Sequence, residues 1–433
     1  MNSVDAMTEI ELAYGQGSVK FTADSSRLAV LSNDSVKEKP LTDVEIGQVI
    51  DSPIASPPLD EVVSSDDSVL IVVSDATRAT ASAQIVNLLV RRVVQAGVSP
   101  GNLAIIFATG IHRPVTEEEK IKLLTPFIVQ RVRILTHDAY DPRSLVTLGT
   151  TERGVPVAVN RALKEFSKTI LVGGINFHYF AGFTGGRKSV CPGLASAPTI
   201  EGTHMLALDF DRGGRQKGVG TGLLDGNAVH EECEQVAALV NPAFSINTIV
   251  DEKKQAISVF CGDWKLAHRV ACHRYLDSNS IQIDAKRDLV IASCGGFPHD
   301  INLIQAHKAL EMASYACKDG GAIVLLAECH DGLGRPDFLK WFESPDSISL
   351  ENRLRERYEV NGQTAWSLLT KAERFRVHLV SKLSPANVKK MRIEPSTTLE
   401  DALEKLDGWE TGYILPRGAG VLPRVNSPQL RAS

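Results

Sequence analysis

Short runs of apolar, largely β-branched residues punctuate the chain, and each ends in small or polar residues. In order they are Val69–Val73, Leu103–Phe107, Val132–Leu135, Thr169–Val172, Ala243–Val250, Leu289–Ala292, Ala322–Leu326 and Val377–Val380. Continuous runs of this length suit strands buried on both faces of a parallel sheet. Between them the period changes. Ala83 to Val94 carries apolar residues at helical spacing and stops at Gly97. Thr116-Glu117-Glu118-Glu119 fits a capping box, in which hydroxyl and third-position carboxylate satisfy free amides at a helix start. Thr397 with Glu400 repeats the device before Leu399 to Leu406, and Ile301 to Ala313 reads as a helix after Gly295-Gly296. Strand, helix, strand alternation predicts α/β layers joined by right-handed crossovers.

A chain of 433 residues suggests two or three domains at roughly 100–200 residues each. Tyr275-Leu276-Asp277-Ser278-Asn279-Ser280 is polar and turn-prone, and the alternation restarts at Asp288-Leu289-Val290-Ile291-Ala292. The predicted organisation is therefore a larger N-terminal α/β domain over residues 1–280 and a smaller one over 281–410, each with its own mainly parallel sheet. The Gly- and Pro-rich segment 411–433 is expected either to pack back on the first domain or to fray. No repeat at solenoid period and no low-complexity block stands out.

The balance of 47 basic and 52 acidic residues, a net charge of −5, comes without a long basic run. That makes the chain a poor candidate for binding nucleic acid through phosphates. Apolar runs such as Val69–Val73 fall far short of the ~20 residues a membrane helix needs, so no membrane partner is expected. Met1 to Tyr14 carries Asp5, Glu9 and Glu11 and does not read as a signal peptide. Seven cysteines, an odd number without a C-x-x-C pair, argue for a reducing compartment rather than a disulfide framework. A soluble cytoplasmic protein is the expectation.

Candidate chemistry follows directly on three of the predicted strands. Ser74-Asp75-Ala76-Thr77-Arg78 follows Val69–Val73, and Thr109-Gly110-Ile111-His112-Arg113 follows Leu103–Phe107. Gly173-Gly174-Ile175-Asn176-Phe177-His178 follows Thr169–Val172 and runs on to Gly185-Gly186-Arg187-Lys188. Ligands of open α/β sheets sit beyond the carboxyl ends of the strands, so parallel strands would bring all three clusters to one edge. Ser74 to Arg78 reads either as a cradle for a phosphate or carboxylate or as a helix cap beside a solvated arginine. Gly182 to Ser189 looks like a P-loop but fails its template, because Arg187 stands where the glycine before the lysine belongs. Lys188 is then either a solvated loop residue or, with a lowered pKa, an anion contact or nucleophile. No G-x-G-x-x-G follows a strand and no H-E-x-x-H is present, which counts against a dinucleotide site and excludes a zincin. His112, His178 and His204 lie within or just after the strand-end segments. Imidazoles there suit proton shuttling near pH 7 or ligation of a borderline metal such as nickel or zinc. Gln305 and Lys308, three apart, share a helix face, either solvated or forming a carboxylate clamp. Trp366 packs in a core or walls a substrate.

Taken together these motifs resemble the nickel-dependent lactate racemase family. The resemblance rests on Ser74-Asp75-Ala76-Thr77-Arg78, Thr109-Gly110-Ile111-His112-Arg113, His178 with Gly185-Gly186-Arg187-Lys188, Pro192-Gly193 with Thr199-Ile200 and His204, and Asn302-Leu303-Ile304-Gln305 with Lys308. These span roughly residues 70 to 310, and a weaker match at Trp366 to Ser381 extends it. It implies two α/β domains with the active site in the cleft between them, the first binding the cofactor. That cofactor would be nickel held by pyridinium-3,5-bisthiocarboxylic acid mononucleotide, attached covalently at Lys188 and completed by His204 as metal ligand. Asp75, Ala76, Thr77 and Arg78 would hold its phosphate. His112 and His178 would be the catalytic acid/base pair, with Arg78, Gln305, Lys308 and Trp366 binding substrate.

The implied reaction inverts C2 of a 2-hydroxy acid. One histidine takes the hydroxyl proton while hydride leaves C2 for the cofactor ring; hydride then returns to the opposite face of a planar 2-keto acid. Two bases on opposite sides are required for that inversion, and the cofactor carries the hydride chemistry. The resemblance does not select lactate, malate, a longer acid or a polyol acid. Ala76, the pair Phe177 and Tyr179, and the turn Phe297-Pro298-His299-Asp300 are the candidates for shaping the pocket. Cofactor-biosynthesis proteins are implied partners, and a homo-oligomer is left open. The competing readings are a conventional nucleotide-dependent α/β enzyme and a noncatalytic sensor of a hydroxy acid or of the cofactor.

Overall fold

The computed structural model describes residues 7–33 and 38–426. These fall into two compact units, one built from the described residues of 35–209 and 215–277, the other from those of 1–34, 210–214 and 278–433. The architecture of each is α/β with mainly parallel strands. No helix among the described residues is long and apolar enough to cross a membrane.

The first unit is organised by a six-stranded sheet in the order Ala256–Gly262, Phe244–Val250, Lys168–Gly174, Val69–Ser74, Leu103–Ala108, Arg133–Leu135. All neighbours run parallel except the pair formed by Phe244–Val250 and Ala256–Gly262. The apolar runs alternate their side chains between two cores, as a sheet covered on both faces demands. Val69, Ile71, Val73, Ile105 and Ile170 enter one core; Leu70, Val72, Ile106 and Leu171 enter the other. The predicted helix after the first of these strands spans Ser82–Gln95, and the chain leaves it through Gly97 at φ +99°.

In the second unit six strands lie in the order Glu394–Ser396, Arg376–Val380, Cys317–Leu326, Arg287–Ser293, Gly412–Leu415, Leu28–Val30, every neighbouring pair parallel. Two features of this sheet correct the sequence reading. Residues 7–33, assigned above to the first domain, belong here: Leu28–Val30 forms the sheet edge against Gly412–Leu415, and the hairpin Met7–Tyr14 with Gly17–Asp24 buries Leu12 and Ala23 in the same core. An isolated hairpin with one apolar face needs such a partner. Residues Gly412–Leu415, expected to pack on the first domain or to fray, lie within this sheet and are all buried; the expectations for residues 1–6 and 427–433 lie outside the described residues. The division between the units at Asp277 and Ser278 falls within the last turn of the helix Leu266–Asn279, which occupies most of the polar stretch predicted as a turn.

Capping chemistry is legible in one of the two predicted boxes and shifted in the other. Thr116 and Glu119 make the reciprocal pair. Near residue 400 the cap is Thr398, which accepts from the amide of Asp401, while the Asp401 carboxylate accepts from the Thr397 amide. The device sits one residue later than Thr397 with Glu400 because Leu399, not Thr398, is the first buried helical position.

Candidate active site

In the first unit, strand order reverses at Val69–Ser74. The next two strands of that series, Leu103–Ala108 and Arg133–Leu135, add on one side, whereas Lys168–Gly174 adds on the other. Such a reversal opens a crevice beyond the carboxyl ends of the two strands that flank it. The three motif-bearing loops leave the sheet at this place.

Asp75 begins the first loop, and its side chain turns back on its own chain. Oδ1 accepts hydrogen bonds from the Thr77 amide at 3.1 Å and hydroxyl at 2.6 Å, while the Asp75 carbonyl accepts from the Arg78 amide. The following helix starts only at Ser82, after Ala81 at φ +47°, so Asp75 caps no helix. Its second oxygen, Oδ2, lies 2.7 Å from Nδ1 of His112, on the neighbouring strand's loop. Burial pushes the Asp75 carboxyl up, but bonds from His112 and Thr77 and the charge of Arg78 outweigh it and hold it below its ordinary value. Asp75 is therefore a buried carboxylate orienting a half-exposed imidazole. Ala76, Thr77 and Arg78 are exposed. The His112 loop is drawn in by a bond from the Gly110 amide to the Gly193 carbonyl at 2.8 Å. Arg113 is committed elsewhere, to both oxygens of Glu119.

The third loop folds into a small hairpin, with Phe177 opposite Phe183 and His178 opposite Gly182. Gly182 sits at φ +74°, and a Cβ there would lie 2.0 Å from the Leu223 carbonyl oxygen, so only glycine fits. The Ala181 amide donates to Nδ1 of His178 at 3.2 Å. Past the hairpin, Gly186–Ser189 makes one turn of 3-10 helix. This turn is not a solvated loop. Arg187 is 1% exposed and donates to the carbonyls of Ala181 (2.8 Å), Gly185 (3.3 Å) and Thr184 (3.4 Å), with His268 Nε2 2.9 Å away. Burial pushes the Lys188 amine down to about 7; repulsion from Arg78 and Arg187 adds to it, against the thiols of Cys233 and Cys191.

His204 ends the helix Ala197–Met205, whose start is capped by Ser196 through the Thr199 amide. Burial, reinforced by the charge of Lys188, pushes its imidazole down to about 3, so the ring is neutral at pH 7. Phe180 joins these groups. Its ring centroid lies 4.5 Å from that of His178, 5.0 Å from that of His204 and 5.6 Å from the Lys188 amine. Phe177, by contrast, packs into an apolar cluster with Phe183 and Tyr275.

Gln305, Lys308 and Trp366 belong to the second unit. The helix Leu303–Ala316 begins at the cap Asn302, and its Lys308 amine donates to Gln305 Oε1 at 2.6 Å. The shared helix face predicted from their spacing is thus a bonded pair. Farther along that helix a buried ion pair joins Glu311 to Lys371. Trp366 is buried in the helix Val360–Arg374, and its indole N–H has no hydrogen-bond partner among the described residues.

Sequence reasoning overlooked Phe180 and Asn227 and treated Arg187 only as a misfit in a P-loop. Asn227 carried one signal, a capping residue before the helix Ala228–Val240. Nothing in linear order shows that its side chain also reaches the Phe180 carbonyl at 2.9 Å.

Fold and site together define an α/β protein whose strand-end loops carry two hydrogen-bonded histidines, a lysine of lowered basicity and a buried neutral imidazole. Residues 14–214 match the lactate racemase N-terminal domain family and residues 283–416 the lactate racemase C-terminal domain family. The chain is 32% identical to a lactate racemase of Lactiplantibacillus plantarum and 29% identical to one of Thermoanaerobacterium thermosaccharolyticum, each over 96% of this chain and all of the relative. The structure of the lactate racemase apoprotein from Thermoanaerobacterium thermosaccharolyticum superposes with a TM-score of 0.88 at 27% identity, covering 96% of this chain and all of that one. A protein from Thermotoga maritima shares the fold at 19% identity and a TM-score of 0.66, over 90% of this chain and 100% of that chain. This chain belongs to the lactate racemase family.

Proposed function

We propose that the protein is a racemase or epimerase of 2-hydroxy acids, with lactate the first substrate to test, working with the nickel-pincer nucleotide in the crevice of the first unit. The observation that carries the proposal is the grouping of Lys188 and His204 around Phe180, with His178 on the same ring. The donor set fits the cofactor. An amine with a pKa of about 7 is partly free base at neutral pH, as an acyl attachment requires. A neutral imidazole offers the lone pair a borderline metal needs. Among the described residues no group of three or more His, Cys, Asp or Glu side chains is placed to hold a metal by itself, which suits an ion that brings most of its ligands with it. Lys188 would anchor the nucleotide, His204 would face the nickel, and the exposed loop of Ala76, Thr77 and Arg78 would take the phosphate. Asp75 drops out of that last role, because its carboxylate is engaged by His112 and Thr77 and would repel a phosphate.

When bound, the group supplies a hydride acceptor and donor for C2. The chain's own residues do the rest. His112, held by Asp75, takes the hydroxyl proton at Nε2, and the carboxylate behind it offsets the charge that develops on the ring. His178 serves the opposite face. Arg78 would hold the carboxylate of the substrate, fixing C2 against rotation, and the Gln305–Lys308 pair of the second unit is a further candidate contact for a carboxylate.

The test is racemisation of a single lactate enantiomer by protein produced together with the cofactor-biosynthesis enzymes, followed by chiral chromatography, with peptide mapping at Lys188. Loss of optical purity together with an adduct on Lys188 is the expected result. An adduct without turnover of lactate, malate or a longer hydroxy acid would sink the catalytic reading.

A further inference from the structure

The two histidines are backed by opposite chemistry, and this distinguishes them. Asp75, an ionised carboxylate, can only accept, so the Nδ1 of His112 that it meets at 2.7 Å carries a hydrogen. In the neutral ring the lone pair is then on Nε2. At His178 the polarity is reversed. The Ala181 amide is a donor, so the Nδ1 it meets at 3.2 Å must present a lone pair, and the hydrogen of the neutral ring is on Nε2.

What keeps that amide aimed is a set of buried bonds. The peptide group joining Phe180 to Ala181 carries both the amide and the Phe180 carbonyl, and the carbonyl accepts from Asn227 Nδ2 at 2.9 Å. Asn227 is fully buried and fully used. Its Nδ2 also donates to the Leu223 carbonyl at 3.1 Å, and its Oδ1 accepts from the amides of Val229 and His230. With two donors and one acceptor assigned, its amide has one orientation. The next peptide is held by Arg187 Nη2, which donates to the Ala181 carbonyl at 2.8 Å. The amide therefore cannot rotate away from His178 without breaking buried hydrogen bonds on both sides and leaving their partners unsatisfied.

We propose that Asn227 and Arg187 are positioning residues that lock His178 with its hydrogen on Nε2, opposite to His112, so that the resting site offers one base and one hydrogen-bond donor rather than two equal bases. The consequence for catalysis rests on the racemase reading above. A substrate whose hydroxyl faces His112 meets a lone pair. A substrate whose hydroxyl faces His178 meets N–H, and its proton is taken only after the ring's own proton has moved to Nδ1 and the Ala181 bond has been lost. The equilibrium constant between enantiomers is one, so kcat/KM must be equal for both. The difference appears in kcat and KM taken separately, both larger or both smaller for one enantiomer.

The test uses the full chain labelled with 15N at histidine, without cofactor, and long-range proton–nitrogen correlation spectra near pH 7.5. His112 and His178 are assigned by their loss in H112N and H178N. The expected spectrum has the downfield, lone-pair nitrogen at Nε2 for His112 and at Nδ1 for His178. Asn227→Asp keeps the acceptor that caps the helix but removes the donor to Phe180; it should move His178 toward a mixture of tautomers and leave His112 as it was. The His112 signals report whether this variant is folded, and the wild-type spectrum decides the assignment even if it is not. Like tautomers at both rings, or a His178 unmoved in a folded N227D, would overturn the proposal. Opposite tautomers in a protein that fails to racemise any hydroxy acid would leave this assignment standing and remove the reading on which its catalytic consequence rests.

Discussion

The amine of Lys188 lies 5.6 Å from the centroid of the Phe180 ring. An aromatic face favours a cation there, yet burial wins and brings the amine down to about 7. Phe180 is thus better described as the partition that sets Lys188 beside His204 than as a counter-charge. Lys188→Ala should abolish the mass adduct acquired from cofactor-producing cells. Lys188→Arg should abolish it equally, because a guanidinium stays protonated and is no nucleophile. Intact-mass measurement of both variants decides; an adduct surviving in either would put the anchor elsewhere.

Asp75→Asn keeps shape and removes charge. The amide can still accept from Thr77, but it can also present N–H toward His112, favouring the wrong tautomer there. We expect kcat of the loaded enzyme to fall by about 10²–10⁴-fold, the range of general acid–base catalysis, with little change in the adduct at Lys188. If instead the adduct is lost and kcat per loaded site is normal, Asp75 acts on the cofactor and not on His112.

Trp366 carries an indole N–H that is buried without a partner among the described residues, a condition that costs about 1–3 kcal/mol. Trp366→Phe removes the N–H while keeping most of the apolar ring. Should that N–H be reserved for the substrate, thermal stability stays near that of the wild type, and KM for the hydroxy acid rises roughly tenfold, the equivalent of about 1.4 kcal/mol. A clear loss of stability with KM unchanged would make Trp366 an ordinary core residue.

Acid sensitivity should begin with histidines rather than carboxylates. His137 in the first unit and His307 in the second are both pushed down to about 4, in each case chiefly by burial. His137 donates from Nε2 to the Ala195 carbonyl and meets the Asn160 amide at Nδ1, both at 3.2 Å, which needs a neutral ring. Because the folded values lie below the unfolded ~6.5, the unfolded chain binds the extra protons. Stability is therefore complete above about pH 6.5, declines as pH falls toward 4, and stops declining from this source once the folded rings protonate. At 1.36 kcal/mol per unit, each ring contributes on the order of 3 kcal/mol to that decline. Urea midpoints measured from pH 7.5 to 4.5 test this; a profile flat down to pH 5 would contradict it.

Much of this organisation could be read without a structure. The apolar runs are strands because residues such as Val69 to Val73 leave no polar position to face water, and that requires a sheet covered on both sides. The loops bearing Asp75, His112 and His178 were recognisable because polar and glycine-rich residues follow those strands at once. The short strand Gly412–Leu415 escaped notice, since four apolar residues beside Gly- and Pro-rich sequence carry too little pattern. Residues 7–33 were misassigned because strand pairing joins the chain's beginning to its end, and no local signal encodes a partner nearly 400 residues away.

What the sequence by itself determined is the parallel α/β architecture and the set of side chains available at the strand ends, because burial and periodicity are local properties of the chain. Only the tertiary structure decided what each side chain does. Asp75 became the orienter of His112 through a bond spanning 37 positions, and Arg187 became a buried clasp instead of a solvated loop residue. Asn227 came to hold the peptide behind His178. Proton placement on an imidazole depends on whether a donor or an acceptor stands within about 3 Å of each nitrogen, and that is fixed by folding, not by neighbours in sequence.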